Sequence, residues 1–370
     1  MYKLPCRAVG ALRALALVVV ALAAAGAVQA KGSSPCTKVA NSCTEWIPLG
    51  HGGARSMVYT TFRLDVANSH IRRALIMVHG TLRNPDHYFA TATAAAFLAG
   101  ALSDTVVIAP AFHSSDGKYC QDHLQPGEVS WRCGGDSWRS GGTAASNPAL
   151  TSFDFVDQIL RMLADRKTFP NMAVIVVAGH SAGGQFVSRY EMANRVGDKL
   201  GVAVRYVIAN PSSYAWPDAT RALPVGDGAP ANAVAGWKDT DPHTNFSYGK
   251  PDATKAPTYD LWPYGLERRT SGYTANMSDQ QLKQQLASRN AFYLLSQVDT
   301  LPLGGFDGSP NAMAQGATRR ARGEAFVKYL REHLGATHSQ ILIVPECGHN
   351  DRCVYTTDDV LAVIFPAVGK

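Results

Sequence analysis

From Ser56 to the end of the chain, short apolar segments alternate with longer segments of helical spacing. The apolar segments are rich in β-branched residues and almost continuously apolar, as strands buried on both faces are. They are Arg73–His79, Thr105–Pro110, Met172–Ala178, Val202–Ala209, Ala291–Val298 and Gln340–Pro345. The helical segments are Asp86–Gly100, Thr151–Arg166, Gly184–Val196, Pro310–Leu334 and Thr357–Phe365. This alternation predicts an α/β fold, with a mostly parallel central sheet and helices on both faces.

Composition agrees with a folded globular protein and excludes several other classes of protein. The chain has 370 residues, of which 46% are hydrophobic and 17% are charged, which excludes a disordered or collagen-like chain. The net charge is +6, and half of it comes from Lys3, Arg7 and Arg13. The remaining charge is too small to indicate a nucleic-acid partner.

Residues 1–30 have the three parts of a secretory signal peptide. The three basic residues precede an apolar stretch, Ala14–Ala25, and Val28 and Ala30 place small residues at a cleavage site. The uncharged run is shorter than the ~20 residues that a spanning helix needs. We therefore expect a leader that is removed, a secreted or periplasmic mature protein, and no stable membrane anchor.

Six cysteines remain after the leader is removed, and an even number in an exported protein predicts disulfide bonds. They are Cys36, Cys43, Cys120, Cys133, Cys347 and Cys353. Pairing each with its neighbour in this order is the simplest of the fifteen connectivities. The spacing of Cys347, His349 and Cys353 is also that of metal ligands. An oxidising compartment and the lack of a second Cys/His cluster disfavour that alternative, so we expect no metal and no cofactor.

Residues 31–370 are predicted to form a single domain. Residues 31–56 are polar and glycine-rich and are interpreted as an N-terminal arm. Residues 211–290 are long, rich in proline and aromatic residues, and lack clear periodicity, which is typical of a functional insertion or lid. We expect Trp216 and Trp262 of this insertion to line a substrate pocket.

The segment Gly179–Gly183 has the pattern Gly-x-Ser-x-Gly, with Ser181 at its centre. It directly follows the predicted strand Met172–Ala178 and leads into a predicted helix. A nucleophile elbow has this layout, because a sharp strand-to-helix turn exposes the serine hydroxyl above the sheet. Ser181 is therefore the predicted nucleophile.

A serine nucleophile needs a base and a carboxylate that orients the base. In chains with such an elbow, the acid and then the histidine follow the serine. Asp299 follows the predicted strand Ala291–Val298, and His349 follows the last strand, so both should emerge at the same sheet edge as Ser181. The acid is predicted to be Asp299, with Asp218 and Asp307 as alternatives.

The oxyanion formed by serine attack needs two backbone N–H donors. The N–H of Ala182, directly after the nucleophile, is one by position. The second is predicted to be that of Thr81, with Leu82 as the alternative, because Gly80 lets the chain turn after an early strand. His79 is interpreted as a buried residue that orients this loop.

These residues together resemble secreted α/β-hydrolases of the esterase and lipase type, with similarity to polyester depolymerases and feruloyl esterases. The resemblance extends from Ser56 to the C-terminus, apart from residues 211–290. It implies an α/β-hydrolase fold, an acyl-enzyme mechanism without a cofactor, and a small-molecule or polymeric ester as substrate. A serine peptidase or amidase, a polyester depolymerase, and a non-catalytic binding protein are the alternatives, and the oligomeric state is left open.

Overall fold

An eight-stranded sheet forms the centre of the protein in the computed structural model, which describes residues 34–117, 120–134, 137–224 and 246–369. The predicted signal peptide, residues 1–30, lies outside the described residues. In chain order the strands are β1 Thr44–Pro48, β2 Arg55–Thr60, β3 Arg73–Val78, β4 Thr105–Pro110, β5 Val174–His180, β6 Ala203–Ala209, β7 Arg221–Pro224, β8 Phe246–Gly249, β9 Ala291–Ser296 and β10 Ser339–Val344. β7 and β8 form a separate two-stranded sheet.

The central sheet has the strand order β1-β2-β4-β3-β5-β6-β9-β10. From β4 to β10 all neighbouring strands are parallel, whereas β2 pairs antiparallel with both β1 and β4. Each residue of β5 is buried, as its continuous apolar character predicts for a central parallel strand. The carboxyl ends of the six parallel strands therefore meet at one edge, where open α/β sheets bind their ligands.

Helices cover both faces of the sheet, as the sequence predicts. They are α1 Pro85–Leu98, α2 Ser152–Ala164, α3 Ala182–Ala193, α4 Asp279–Ser288, α5 Pro310–Met313, α6 Arg319–Leu334, α7 Asp351–Tyr355 and α8 Asp358–Ile364. One apolar core lies between the sheet and α1, α7 and α8, and the other between the sheet and α2, α3, α4 and α6. Within the described ranges, no helix is long and apolar enough to cross a membrane.

Some predicted elements differ from those in the structure. The N-terminal arm contains β1 and the start of β2, where partly exposed residues interrupt the buried ones, so neither strand has a continuous apolar pattern. The predicted helix Pro310–Leu334 is divided into α5 and α6, because the Thr318 hydroxyl accepts a hydrogen bond from Ala321 N and starts a new helix. β5 extends through His180, two residues beyond the predicted strand end.

The insertion between β6 and β9 packs against α6 in the part that the structure describes. Trp216 is fully buried, with its ring 5.5 Å from that of Phe326 and 5.1 Å from that of Tyr329. The expectation that Trp216 lines a substrate pocket is therefore wrong, since its indole fills the core beside α6. Residues 225–245, including Trp237, lie outside the described residues.

Candidate functional site: a serine at a strand-to-helix turn

Ser181 is the single residue between β5 and α3, and its backbone is strained. Its φ of 59° and ψ of −117° lie in a region that residues with a Cβ rarely adopt. The turn is tight because α3 approaches the sheet closely. A Cβ at Gly179 would collide with the carbonyl of Gly183, and a Cβ at Gly183 would collide with the carbonyl of Val78. Both flanking glycines are thus required for the serine to stand at the sheet edge.

A continuous chain of hydrogen bonds joins Asp299, His349 and Ser181. His349 Nδ1 lies 2.7 Å from Asp299 Oδ2, and His349 Nε2 lies 2.9 Å from Ser181 Oγ. Because an ionised carboxylate only accepts, Nδ1 carries the proton in the neutral imidazole and Nε2 accepts from the serine hydroxyl. The structure therefore brings the three predicted residues together in the geometry of a serine nucleophile, a base and an orienting acid.

The two alternative acids lie elsewhere and have other partners. Asp218 accepts a hydrogen bond of 2.5 Å from the Tyr329 hydroxyl, and Asp307 accepts one of 2.8 Å from the Tyr264 hydroxyl. Asp299 is 3% exposed and lies three residues past β9. It is the carboxylate that contacts His349 in the structure.

Sequence reasoning did not identify a second partner of Asp299. The Arg319 guanidinium, fully buried at the start of α6, donates from Nη1 to Asp299 Oδ1 at 3.1 Å. Each carboxylate oxygen thus has its own partner, Arg319 on one side and His349 on the other. Arg319 reads in sequence as part of a basic helix start, and only the tertiary structure shows what it contacts.

Two further histidines lie beside the site, and burial lowers the pKa of each. Burial lowers the pKa of His79 to about 3, and its Nε2 accepts a hydrogen bond from Phe112 N at 3.1 Å. This agrees with its interpretation as a buried residue that orients the loop. Burial, together with repulsion from His349, lowers the pKa of His180 well below its usual value. The rings of His180 and His349 are 4.5 Å apart, so His180 packs against the base.

The two predicted oxyanion donors are both close to this constellation. Ala182 is the first residue of α3, where an N–H has no acceptor within the helix. Thr81 lies on an exposed turn after β3, in which Arg83 N donates to Gly80 O. A Cβ at Gly305 would lie 3.2 Å from the Thr81 methyl group, and one at Gly304 would lie 3.0 Å from His349 Cδ2. The loop after β9 therefore touches both Thr81 and the base.

The structure pairs the six cysteines in the simplest predicted connectivity. The bonds are Cys36–Cys43, Cys120–Cys133 and Cys347–Cys353, with Cα atoms 5.5, 6.2 and 5.8 Å apart. Cys347 and Cys353 flank His349, so their sulfurs serve as a crosslink of its loop rather than as metal ligands. The described part of the chain contains no group of three or more His, Cys, Asp or Glu side chains arranged to hold a metal ion.

A cavity of about 470 Å³ lies beyond the nucleophile along α3. Its lining includes Gln185, one helical turn after Ser181, as well as Arg139, Arg189 and Trp262. The Gln185 amide donates to Ser213 Oγ at 2.6 Å. Trp262 lines this cavity, which agrees with the expectation that it lines a pocket. Arg139, Gln185 and Arg189 line it as well, so the wall is more polar than one formed by tryptophan alone.

The profile of the alpha/beta hydrolase family matches residues 75–363, which is most of the chain. The chain belongs to the alpha/beta hydrolase family. A comparison with curated proteins returns no match. Among solved structures, the fold is similar to poly(aspartic acid) hydrolase-1 from Sphingomonas sp. KT-1, with 20% identity, a TM-score of 0.57 and coverage of 87% of this chain and 97% of that chain. It is also similar to LpqC, a poly(3-hydroxybutyrate) depolymerase from Bordetella parapertussis, with 18% identity, a TM-score of 0.53 and coverage of 84% and 89%. At these identities the likeness concerns the fold.

Removing the disulfide beside His349 should disrupt the site more than removing a similar disulfide elsewhere. In the double variant Cys347→Ala/Cys353→Ala, loss of a short closed loop should lower the free energy of unfolding by about 2 kcal/mol. Cys36→Ala/Cys43→Ala opens a loop of nearly the same length, with sequence separations of 7 and 6, and should lose a similar amount. Chemical denaturation measures both losses.

Only the first of these variants should react more slowly at Ser181, because only its crosslink holds the loop of His349. The rate of labelling by a fluorophosphonate probe measures this reactivity. We expect the labelling rate to fall about tenfold or more in the Cys347/Cys353 variant and to stay at the wild-type value in the Cys36/Cys43 variant. Equal labelling rates in two folded variants would show that the disulfide does not hold the base in place.

Proposed function

We propose that this alpha/beta hydrolase is a secreted serine hydrolase that cleaves carboxylic esters through an acyl-enzyme on Ser181. The observation that carries the proposal is the hydrogen-bonded chain from Asp299 through His349 to Ser181. Its two contacts of 2.7 and 2.9 Å already have the lengths needed for proton transfer. The strained φ of Ser181 adds support, because strain of this kind persists where surrounding structure imposes it for a function.

The geometry supports the following sequence of steps. His349 Nε2 takes the proton of Ser181 Oγ as the oxygen attacks the ester carbonyl, and Asp299 stabilises the imidazolium that forms. The imidazolium then gives its proton to the leaving alcohol, and the tetrahedral intermediate collapses to an ester on Ser181. Water then loses a proton to the same Nε2 as its oxygen attacks the acyl carbon, which gives a second tetrahedral intermediate. This intermediate collapses as the imidazolium returns the proton to Ser181 Oγ, and the acid and the free serine are released.

The oxyanion of each tetrahedral intermediate is proposed to accept hydrogen bonds from Ala182 N–H and Thr81 N–H. The first donor lies at the N-terminus of α3, where the helix dipole favours negative charge. The second lies on the turn after β3, against the loop that touches His349. Donors fixed in this way stabilise charge as it develops, without reorganisation during the reaction.

Export to the periplasm or the outside of the cell is part of the proposal. The predicted leader, residues 1–30, supports it. The three disulfide bonds support it as well, since such bonds persist in oxidising compartments.

The mature protein should hydrolyse p-nitrophenyl acetate, butyrate or palmitate, and Ser181→Ala should lower kcat by at least about 10⁴-fold because no nucleophile remains. Ser188→Ala is the matched control, since it removes a buried serine hydroxyl from α3, the helix that Ser181 directly precedes. Release of p-nitrophenol measures both, and the chain-length profile distinguishes an esterase from a lipase.

The matching p-nitroanilides distinguish ester from amide hydrolysis. Hydrolysis of esters well above that of anilides is the expected result. A folded wild-type protein that cleaves anilides and not esters would favour the peptidase or amidase alternative. Activity that persists in Ser181→Ala would contradict the acyl-enzyme mechanism.

Thr81→Pro tests the second oxyanion donor, because proline removes the backbone N–H and suits the first inner position of a turn. We expect kcat to fall about 10²-fold, with KM nearly unchanged. Thr81→Val keeps the N–H, removes the hydroxyl, and should retain most of the activity. Equal activity in both folded variants would assign the donor to another residue, such as Leu82.

A further inference from the structure

One guanidinium connects three segments around the base. The side chain of Arg319 is fully buried and has five hydrogen-bonding groups, four of which have contacts in the structure. Besides Asp299, it donates from Nε to Ser212 Oγ at 2.9 Å, and from Nη2 to the carbonyls of Leu303 at 2.7 Å and Gly304 at 2.9 Å. The segment after β6, the acid after β9 and the loop that touches His349 therefore converge on Arg319.

The position of this arginine is unfavourable for a helix. Arg319 is the first residue of α6, and the first turn also contains Arg320 and Arg322 but no acidic residue. Cations near a helix N-terminus oppose the helix dipole, and burying a charge carries a desolvation cost. That burial also lowers the pKa of the Arg319 guanidinium. A well-packed apolar residue would hold the helix without these costs, so the charge itself needs an explanation.

We propose that Arg319 is a positioning residue that fixes the Asp299 carboxylate and sets the pH at which His349 becomes protonated. The proposal rests on the function proposed above. Because Arg319 binds Oδ1, the carboxylate cannot rotate, and Oδ2 stays directed at His349 Nδ1. The positive guanidinium also offsets part of the negative charge that would otherwise attract a proton to the imidazole.

The same guanidinium fixes the surroundings of the imidazole ring. The carbonyl of Gly304 accepts from Arg319, and the Cα of Gly304 lies so close to His349 that an added Cβ would approach Cδ2 to 3.0 Å. The hydroxyl of Ser212, which accepts a hydrogen bond from Arg319, lies 3.5 Å from the carbonyl oxygen of Gly305. Losing the guanidinium would release the acid and this loop together.

The other charged and titratable groups near His349 do not take the place of Arg319 in offsetting the charge of Asp299. Burial lowers the pKa of His180, on β5, well below its usual value. His87 on α1 and Asp351 on α7 pair with each other at 3.0 Å. On α6, Arg320 pairs with Glu324, also at 3.0 Å.

Arg322 lies close enough to influence the buried groups here, but it has other partners. It donates to the backbone carbonyls of Gly316, Ser212 and Asp307. In the described part of the chain, Arg319 is therefore the cation that contacts the acid.

Arg319→Met tests the proposal, since methionine keeps much of the side-chain volume without the charge. We expect the acid limb of the kcat/KM profile for p-nitrophenyl butyrate to move up by about one pH unit. At an effective dielectric of about 20, a unit charge about 12 Å away shifts a pKa by about one unit, and a nearer charge shifts it further. We also expect kcat at the pH optimum to fall about tenfold, with KM changed less than about threefold.

Arg320→Met is the matched control. Arg320 lies in the same helical turn, is 7% exposed and carries the same charge, but it contacts Glu324 and the carbonyl of Gln297 rather than Asp299. Its acid limb should coincide with that of the wild type. An unshifted acid limb in folded Arg319→Met, or an equal shift in Arg320→Met, would overturn the proposal.

Arg319→Lys keeps the proposal testable if the methionine variant does not fold. One ammonium group preserves the charge but cannot reach Asp299, Ser212 and two carbonyls together. We expect the acid limb to stay at the wild-type pH while kcat falls several-fold. A lysine variant with wild-type kcat would show that the guanidinium contacts do not position the acid.

A fluorophosphonate probe separates failure of this inference from failure of the proposed ester hydrolysis. Its rate of reaction with Ser181 depends on the base but not on the natural substrate class. A wild-type protein that reacts with the probe and leaves esters intact would contradict the proposed substrate, while the pH profile of labelling in the three variants would still decide the role of Arg319.

Discussion

The close approach of α3 to the central sheet is the constraint on which the site depends. The backbone of Gly183 lies against the carbonyls of Val78 and His79, and that of Gly184 lies against the carbonyl of Ala209. The helix can pack this tightly only without side chains at these positions. The chain must then turn within one residue, which forces Ser181 into its positive φ and leaves its hydroxyl at the carboxyl edge of the strands.

The parallel register of the sheet delivers the remaining groups to that edge. Asp299 and His349 follow neighbouring strands, β9 and β10, and both strand ends continue into loops that are fixed by specific contacts. Asn210, which follows β6, donates to Ser296 Oγ at 2.7 Å and accepts from Ser296 N at 2.8 Å, so the ends of β6 and β9 are joined. The Cys347–Cys353 bond and the Arg319 guanidinium constrain the next segments. A flexible arrangement would lose the alignment that proton transfer requires.

Much of the fold could be predicted because parallel strands that are buried on both faces are continuously apolar in sequence. The six predicted strands are all present, and the family comparison confirms the α/β-hydrolase fold. β1, the edge strand, and β2, next to it, could not be predicted in the same way, since partly exposed residues interrupt their buried ones. The division between α5 and α6 depends on a cap at Thr318 inside an otherwise helical pattern.

The site was predictable to the extent that its residues follow strand ends. The order of residues along the chain indicated Asp299 as the acid but could not exclude Asp218 or Asp307. Those two carboxylates are bound by tyrosines that are distant in sequence. Arg319 was missed for the same reason. Its contacts with Asp299 and Ser212 span 20 and 107 residues, and no local pattern marks them. The role of each residue in catalysis remains a prediction that the geometry supports.

Acid quenching during the hydrolysis of p-nitrophenyl butyrate, followed by intact-mass and peptide mass spectrometry, tests the central claim most directly. The account predicts a fraction of the protein that carries one butyryl group on the peptide containing Ser181, and no such species in Ser181→Ala. Turnover accompanied by a butyryl group on a different residue, or by the same adduct in the variant, would contradict an acyl-enzyme on Ser181.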